Sequence, residues 1–330
     1  MPAKTLRELS DGESIEGIYL ASGKQLRNNR NGQPFLQVDL CDRGGPMTAR
    51  LWNCDDKRAR SFEDGEFVKA KARAQLFQGA MQLILTDIDR APEGSFNPAD
   101  FLPRTEKDVS RLLDRLRTQL RSLKSHHLKA LGEAFFVESS LVDQFCKAPA
   151  GVRQHHAYLG GLLEHVVNMM EVSDKVAPLY PGLDRDLLLC GCLLHDIGKT
   201  KELAYESAFG YTDEGQLVGH ISLGALMLED LIAKAIQLTG EPFPEPLRLR
   251  LHHMIASHHG TLEFGSPKVP MTPESQALHL IDMMDSKMHQ ILREIRTHQA
   301  DPGAWTPFDN SLGRRFFKGV KEGPEAAGNV

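Results

Sequence analysis

Residues 187–203, LLLCGCLLHDIGKTKEL, begin with eight uncharged residues and run straight into His195, Asp196, Gly198 and Lys199. A stretch this apolar belongs in a core. It nevertheless ends in an imidazole and a carboxylate, two common metal-ligating side chains. Consecutive helix positions differ by about 100°, so two adjacent ligands reach one point only near a helix end. Gly198 is expected to free the backbone at that end. An unpartnered, buried Asp196 carboxylate would cost several kcal/mol, and a divalent cation removes that cost.

Other segments carry the same chemistry. HHAYLGGLLEHVV holds His155, His156 and His165; LVGHISLGALMLE holds His220; MIASHHGTLEFGSP holds His258 and His259; ALHLIDMMDSKMH holds His279, Asp282 and Asp285. Each lies on or beside an apolar segment with helical period. A single buried histidine is more often a hydrogen-bonded core residue than a ligand. An ordered series of histidines and aspartates on several apolar helices is how helical bundles build metal sites. Mixed nitrogen and oxygen ligands suit Mn, Fe, Co, Ni or Zn better than Ca or Mg.

The rest of the chain bounds this reading. Its 330 residues, 41% hydrophobic, suffice for two domains with real cores. No apolar run approaches the ~18 residues of a membrane span, and the N-terminal MPAKTLRELSDGES lacks a signal peptide's apolar stretch. Five cysteines make a disulfide framework a poor reading, and Cys190 and Cys192, two apart, point to different helix faces. A reducing cytoplasm follows. The net charge of −5 neither announces nor excludes a nucleic-acid binder. No GxSxG elbow or Walker loop offers another mechanism.

Residues 12–90 alternate apolar and polar side chains with period two in GIYLASGKQL, PFLQVDLCD, MTARLWN, FVKAKARAQLF and MQLILTDID, broken by NNRNGQP, DRGGP and QGA. Five short strands with one acidic piece (residues 55–66) between the third and fourth predict a small OB-type barrel. Residues 91–103, APEGSFNPADFLP, read as a linker, and TEKD predicts a capped helix start at Thr105. The fold expected is multidomain: an all-β OB-type barrel over residues 1–92, a linker over 93–104, an all-α helical bundle over 105–300, and a tail over 301–330 holding the basic-aromatic RRFFKG.

The order His165, His195-Asp196, Asp282, in LLEHVV, LLHDIGK and LHLIDMMD, resembles the HD domain of metal-dependent phosphohydrolases. His220, His258 and His259 resemble the additional ligands of HD subgroups that hold two metals. HHAYLGGLLEH, GYTDEGQLVGHI, SHHGTLEFGSPKVP and DMMDSKM, behind an OB-like barrel, resemble the YhaM-type 3′→5′ exoribonucleases over nearly the whole chain. The resemblance implies His165, His195, Asp196 and Asp282 as the primary metal shell, with His220 and His258 or His259 completing a second site. Asp285 is a rival to Asp282, which the HD pattern favours. The implied cofactor is a divalent metal, two ions per site, Mn foremost. Asp196 and Lys199 are the catalytic candidates. Lys199 either contacts the scissile phosphate or is a surface lysine at a helix end. His155 and His156 either bind substrate or pack, and Glu164 either orients a ligand or is exposed.

Two metals explain phosphodiester hydrolysis: one acidifies a water, and both stabilise the oxygens of an in-line displacement. On the barrel, Ile18, Leu20, Leu36, Val38, Leu40, Ala49 and Leu51 are expected to point inward, leaving Tyr19, Phe35, Arg50 and Trp52 outside. Lys69, Lys71 and Arg73 share one parity on the fourth strand. Aromatics interleaved with cations suit single-stranded nucleic acid, although a solvated barrel face is usually charged anyway. RRFFKG is a second nucleic-acid contact or a docking element. The function expected is a cytoplasmic, metal-dependent 3′→5′ exonuclease that hydrolyses single-stranded RNA, with DNA left open, to nucleoside 5′-monophosphates. The direction of cutting comes from the resemblance alone. An HD phosphohydrolase of small nucleotides is a rival, disfavoured by the barrel. A non-catalytic nucleic-acid-binding protein with a structural metal is another, disfavoured by the full ligand set. Homo-oligomerisation is left open.

Overall fold

The computed structural model describes residues 4–29, 32–54, 56–77, 80–152, 156–206, 209–299, 303–309 and 311–319. Two units divide the chain, Met1–Arg104 with Ala204–Gly210 and Thr105–Leu203 with Tyr211–Val330.

The first unit is a closed five-stranded barrel. Its strands are β1 (Ser14–Asn28), β2 (Pro34–Asp42), β3 (Gly45–Trp52), β4 (Phe67–Phe77) and β5 (Ala80–Arg90), in the order β1-β2-β3-β5-β4, with a short helix α1 (Asp56–Ala59) between β3 and β4. All pairings are antiparallel except β3 with β5. β1 serves two neighbours: Ser14 to Leu20 pair with β4 and Leu20 to Asn28 with β2, across a bulge between Ser22 and Gln25. Bulges bend a strand and so help a small barrel close. The interior is filled by Leu36, Val38, Leu40, Ala49, Leu51, Val68, Ala70, Ala72 and Leu83, the alternate positions of each strand.

One parity differs from the expectation. On β1 the inward residues are Tyr19 and Ala21, with Ile15 packed beside them, while Ile18 and Leu20 are only half-buried and face outward. Register explains it, because Ala21 pairs with inward-facing Leu40. The outer face nearby is apolar as well: Leu20 pairs with Phe67, whose ring packs at 4.4 Å on Phe96 and 5.1 Å on Phe101. Apolar residues on both faces leave the alternation of this strand without a unique reading.

The second unit is helical: α2 (Val109–Arg121), α3 (His126–Val137), α4 (Ser139–Lys147), α5 (Gly161–Val176), α6 (Arg185–Leu194), α7 (Lys199–Glu202), α8 (Asp213–Val218), α9 (His220–Thr239), α10 (Glu245–Ser257) and α11 (Pro273–Thr297). The first helix starts at Val109 rather than Thr105. Asp108 caps it, accepting from the Ser110 and Arg111 N–H groups, while Thr105 Oγ1 donates to Glu164 at 2.5 Å. A carboxylate accepts two N–H bonds here, which a threonine hydroxyl does less well.

α6 is the hub. Its residues from Asp186 to Leu194 are all buried, and it packs against α5, α10 and α11. A helix apolar on every side is a buried helix. Asp186, its one buried charge, accepts the Lys124 and Ser125 N–H groups at 2.6 and 2.7 Å, before the start of α3. No helix among the described residues is long and apolar enough to cross a membrane.

Leu189 is fully buried in α6. Leu189→Ala is expected to destabilise the helical unit by ~2–5 kcal/mol, read as a lower midpoint in urea unfolding.

Candidate active site

Most candidate ligands sit at helix ends. His195 is the C-cap of α6, Asp196 follows it, His220 opens α9 and His258 is the C-cap of α10. His165 lies within α5 and Asp282 within α11. Gly198 joins these ends, but not through backbone freedom. Its φ and ψ are −62° and −20°, ordinary helical values. What it provides is close approach, because a Cβ there would lie 2.0 Å from the His220 carbonyl oxygen and 2.7 Å from the Gly224 nitrogen. Any side chain would push the start of α9, and His220 with it, away from Asp196.

Five rings are held by Nδ1. Acceptors are the Cys192 carbonyl for His195 (2.9 Å), the Ile255 carbonyl for His258 (2.8 Å), the Phe264 carbonyl for His259 (2.7 Å), Glu202 Oε1 for His220 (2.9 Å) and Asp285 Oδ2 for His165 (2.7 Å). A carbonyl or carboxylate oxygen can only accept, so Nδ1 carries the proton and Nε2 presents a lone pair. Two of these acceptors are carboxylates, the arrangement that fixes the tautomer of metal-ligating histidines.

The Nε2 atoms converge around Asp196. His165 Nε2 lies 3.3 Å from His195 Nε2, 3.3 Å from Asp282 Oδ1 and 3.9 Å from Asp196 Oδ2. His195 Nε2 is 3.3 Å from Asp196 Oδ2. On the other side of the carboxylate, Asp196 Oδ1 is 3.7 Å from His220 Nε2 and 3.6 Å from His258 Nε2. Those three atoms are buried and have no hydrogen-bond partner. All three are acceptors, so none can satisfy another. A cation can satisfy all of them. Among the described residues, His165 with His195 and Asp282, and His220 with His258 and His259, form groups whose ligand atoms lie within 4.8 Å of one another. The donor set therefore fits a divalent metal.

Electrostatics agree. Burial would raise the Asp196 pKa, but Lys199 and His195 hold it well below the usual carboxylate range. Lys199 Nζ donates to Asp196 Oδ2 and to the Ala150 carbonyl, both at 2.7 Å. Burial lowers the pKa of His258, keeping its ring neutral. Burial would lower His165 too, but Asp282 and Asp285 against its two nitrogens push it up to about 10. Without a metal that ring takes a second proton on Nε2, so a cation bound there would replace a proton.

Asp285 faces Nδ1 of His165, whereas Asp282 faces Nε2. Asp285 also takes the ring of His156 at 2.8 Å. His156 is fully buried with φ of +47°, a conformation held at some energetic cost by its surroundings. The Tyr158 hydroxyl lies 2.7 Å from His156 Nδ1 and donates to Glu164 at 3.0 Å, and His289 stacks on His156 at 3.9 Å. Glu164 is thus buried against Thr105 and Lys107, and His155 lies outside the described residues. Tyr158, Glu202 and His289 are participants that pattern reading missed. His289 alone carried a signal: it lies four residues after Asp285, on one face of α11.

The barrel candidates separate. Tyr19 is 9% exposed and packed in the core, so it cannot stack on a base. Phe35 and Trp52 are cross-strand partners with rings 5.0 Å apart, and Trp52 is 45% exposed. Arg27 on β1 pairs with Phe35, an aligned cation that pattern reading missed. Arg50 pairs with Gln37 two residues along and donates to Gln82. Lys69, Lys71 and Arg73 lie on β4, between β1 and β5, not beside this patch. Lys69 and Lys71 bridge to Glu16 at 3.2 and 3.3 Å, and Arg73 donates to the Gly12 carbonyl.

A 3'-5' exoribonuclease YhaM of Bacillus subtilis (strain 168) is 33% identical over 307 residues, 93% of this chain and 95% of the relative. The chain belongs to the YhaM family. Relatives of the same name from Oceanobacillus iheyensis and Listeria innocua are 32% and 31% identical, over 93% and 95% of this chain and 94% and 97% of their own lengths. An OB-fold nucleic acid binding domain matches residues 21–90, and an HD domain matches residues 162–287. The HD match implies divalent-metal dependence and encloses every candidate ligand from His165 to Asp285. The two matches fall in the order of the structure, barrel then helical unit.

Asp285→Asn should weaken divalent-metal affinity about 10- to 100-fold, measured by chelator competition, while the far-UV dichroism stays unchanged. Gly198→Ala should cost about 1–3 kcal/mol of stability and reduce bound metal, measured by thermal unfolding and elemental analysis.

Proposed function

We propose that this chain is a metal-dependent 3′→5′ exonuclease that hydrolyses single-stranded RNA to nucleoside 5′-monophosphates. The supporting observation is the trio of buried acceptors on Asp196, His220 and His258 without partners, beside the His165, His195 and Asp282 group. Membership of a family whose relatives are named 3'-5' exoribonuclease supports the direction and the RNA substrate.

In this reading the residues around both oxygens of Asp196 would hold the divalent metal. Asp196 Oδ2 serves His195, His165 and Asp282, and Asp196 Oδ1 serves His220 with His258 and His259. A divalent ion held by these residues would supply Lewis-acid charge and lower the pKa of a water. Mixed imidazole and carboxylate donors suit Mn, Fe, Co, Ni or Zn, and manganese is the ion proposed. Residues of the chain do the positioning. Lys199 keeps Asp196 ionised and brings positive charge next to where a phosphate would lie. Glu202 fixes His220, and Asp285 fixes His165. On the barrel, Phe35 and Trp52 offer stacking surfaces with Arg27 and Arg50 beside them, the composition of a single-strand grip. Free thiols at Cys41, Cys54, Cys146, Cys190 and Cys192 fit a cytoplasmic site of action.

The decisive test incubates 5′-labelled single-stranded RNA with the protein and Mn²⁺, beside an EDTA control and an Asp196→Ala variant. A ladder shortening from the 3′ end, absent in both controls, is expected. Intact RNA with the metal-loaded wild type would overturn the reading. Lys199→Met is expected to lower kcat by about 10²–10³, as loss of a preorganised charge does elsewhere, with metal content retained.

A further inference from the structure

The chain has two tryptophans, and both are unusually open for such large apolar side chains. Trp52 is one member of the barrel patch. Trp305 is 55% exposed, and its bridge partner Phe317, 54% exposed, has its ring 5.2 Å away. They lie on two short stretches, residues 303–309 and 311–319, joined as a hairpin by bridges from Trp305 to Phe317 and from Asp309 to Arg314. Phe308 is exposed there too. The hairpin follows α11, and Lys318 Nζ donates to the His298 carbonyl at 2.7 Å, at the C-terminal end of that helix. α11 carries Asp282, and the C-terminal end of that helix at Thr297 lies about 22 Å along its axis from that ligand at 1.5 Å per residue.

Charge says what these rings fit. Arg314 and Arg315 are exposed beside Phe317. The hairpin's described acid, Asp309, is occupied within its turn, accepting from Ser311 Oγ at 2.6 Å and the Leu312 N–H at 2.7 Å. Arg314, Arg315 and Lys318 outnumber that acid, so the patch is complementary to an anionic partner. Paired open rings flanked by guanidinium groups suit a strand of bases and phosphates. We propose that this hairpin is a second stacking platform for single-stranded RNA, carried by the helical unit itself: Trp305 and Phe317 stack on bases, and Arg314 and Arg315 meet phosphates. The proposal rests on the RNA reading above and gives the strand a grip independent of the barrel.

With two tryptophans, the test is direct. In a full-length Trp52→Phe variant, Trp305 is the only tryptophan. This variant, loaded with Mn²⁺, is titrated with a single-stranded RNA carrying 3′ phosphorothioate linkages, with binding followed in parallel by anisotropy of a label on the RNA. Saturable quenching of Trp305 emission, matching the anisotropy curve, is expected. Phe317→Ala should weaken binding about tenfold, the loss of roughly one stacked base, and Phe317→Tyr should restore it. Replacing Arg314 and Arg315 by Gln should reduce the slope of log affinity against log salt by about 0.7 for each phosphate no longer neutralised. RNA binding that leaves Trp305 emission flat would overturn the platform, as would absence of binding. An emission change that tracks protein concentration without RNA would overturn it in favour of self-association. The readout is separate from cleavage: a chain that degrades RNA with Trp305 unaffected loses only the platform, and quenching in a chain that does not cleave leaves the platform and removes the activity.

Discussion

A single buried carboxylate organises the helical unit. Asp196 presents its two oxygens to two different groups of imidazole nitrogens, and its charge would be costly in that interior without compensation. Lys199 supplies one positive charge on Oδ2, leaving Oδ1 unsatisfied with His220 and His258. The arrangement makes sense only with more positive charge between the rings.

Backbone carbonyls share in the work. His195, His258 and His259 are each aimed by a carbonyl released at a helix end or in a loop, where main-chain oxygens lack intrahelical partners. His220 and His165, entering from other directions, are aimed by Glu202 and Asp285. The site therefore inherits its geometry from the termini of α6, α9 and α10, and these depend in turn on α6 being apolar enough to occupy the middle of the unit. Gly198 belongs to this account, since α9 can start beside Asp196 only where no side chain intervenes.

Much of this was legible in residue order. The strand segments, the helical part, the ligand residue types and the apolar helix leading into His195 all follow from periodicity and composition, because burial imposes a period of two on strands and 3.6 on helices. The readings that shifted share one cause, which is competition between neighbours. Tyr19 turned inward because Leu40 set the register of β1, while apolar Leu20 found cover outside beside Phe67. Thr105 surrendered the helix start to Asp108 because Glu164 claimed its hydroxyl. Seven residues read as one barrel face became a core tyrosine, an aromatic patch on β2 and β3, and a separate cationic row on β4.

The order and chemistry of the side chains, by themselves, determined that this protein has a strand-rich N-terminal part, a longer helical part and a set of imidazole and carboxylate donors suited to a divalent metal. Only the tertiary structure decided which oxygen of Asp196 faces which histidine, that Asp285 supports His165 from behind while Asp282 meets its other nitrogen, and that His156, Tyr158 and His289 close the network. Periodicity encodes which face of a helix is buried. It cannot encode how helices distant in sequence are rotated and stacked against one another, and the distances between donor atoms depend on that packing.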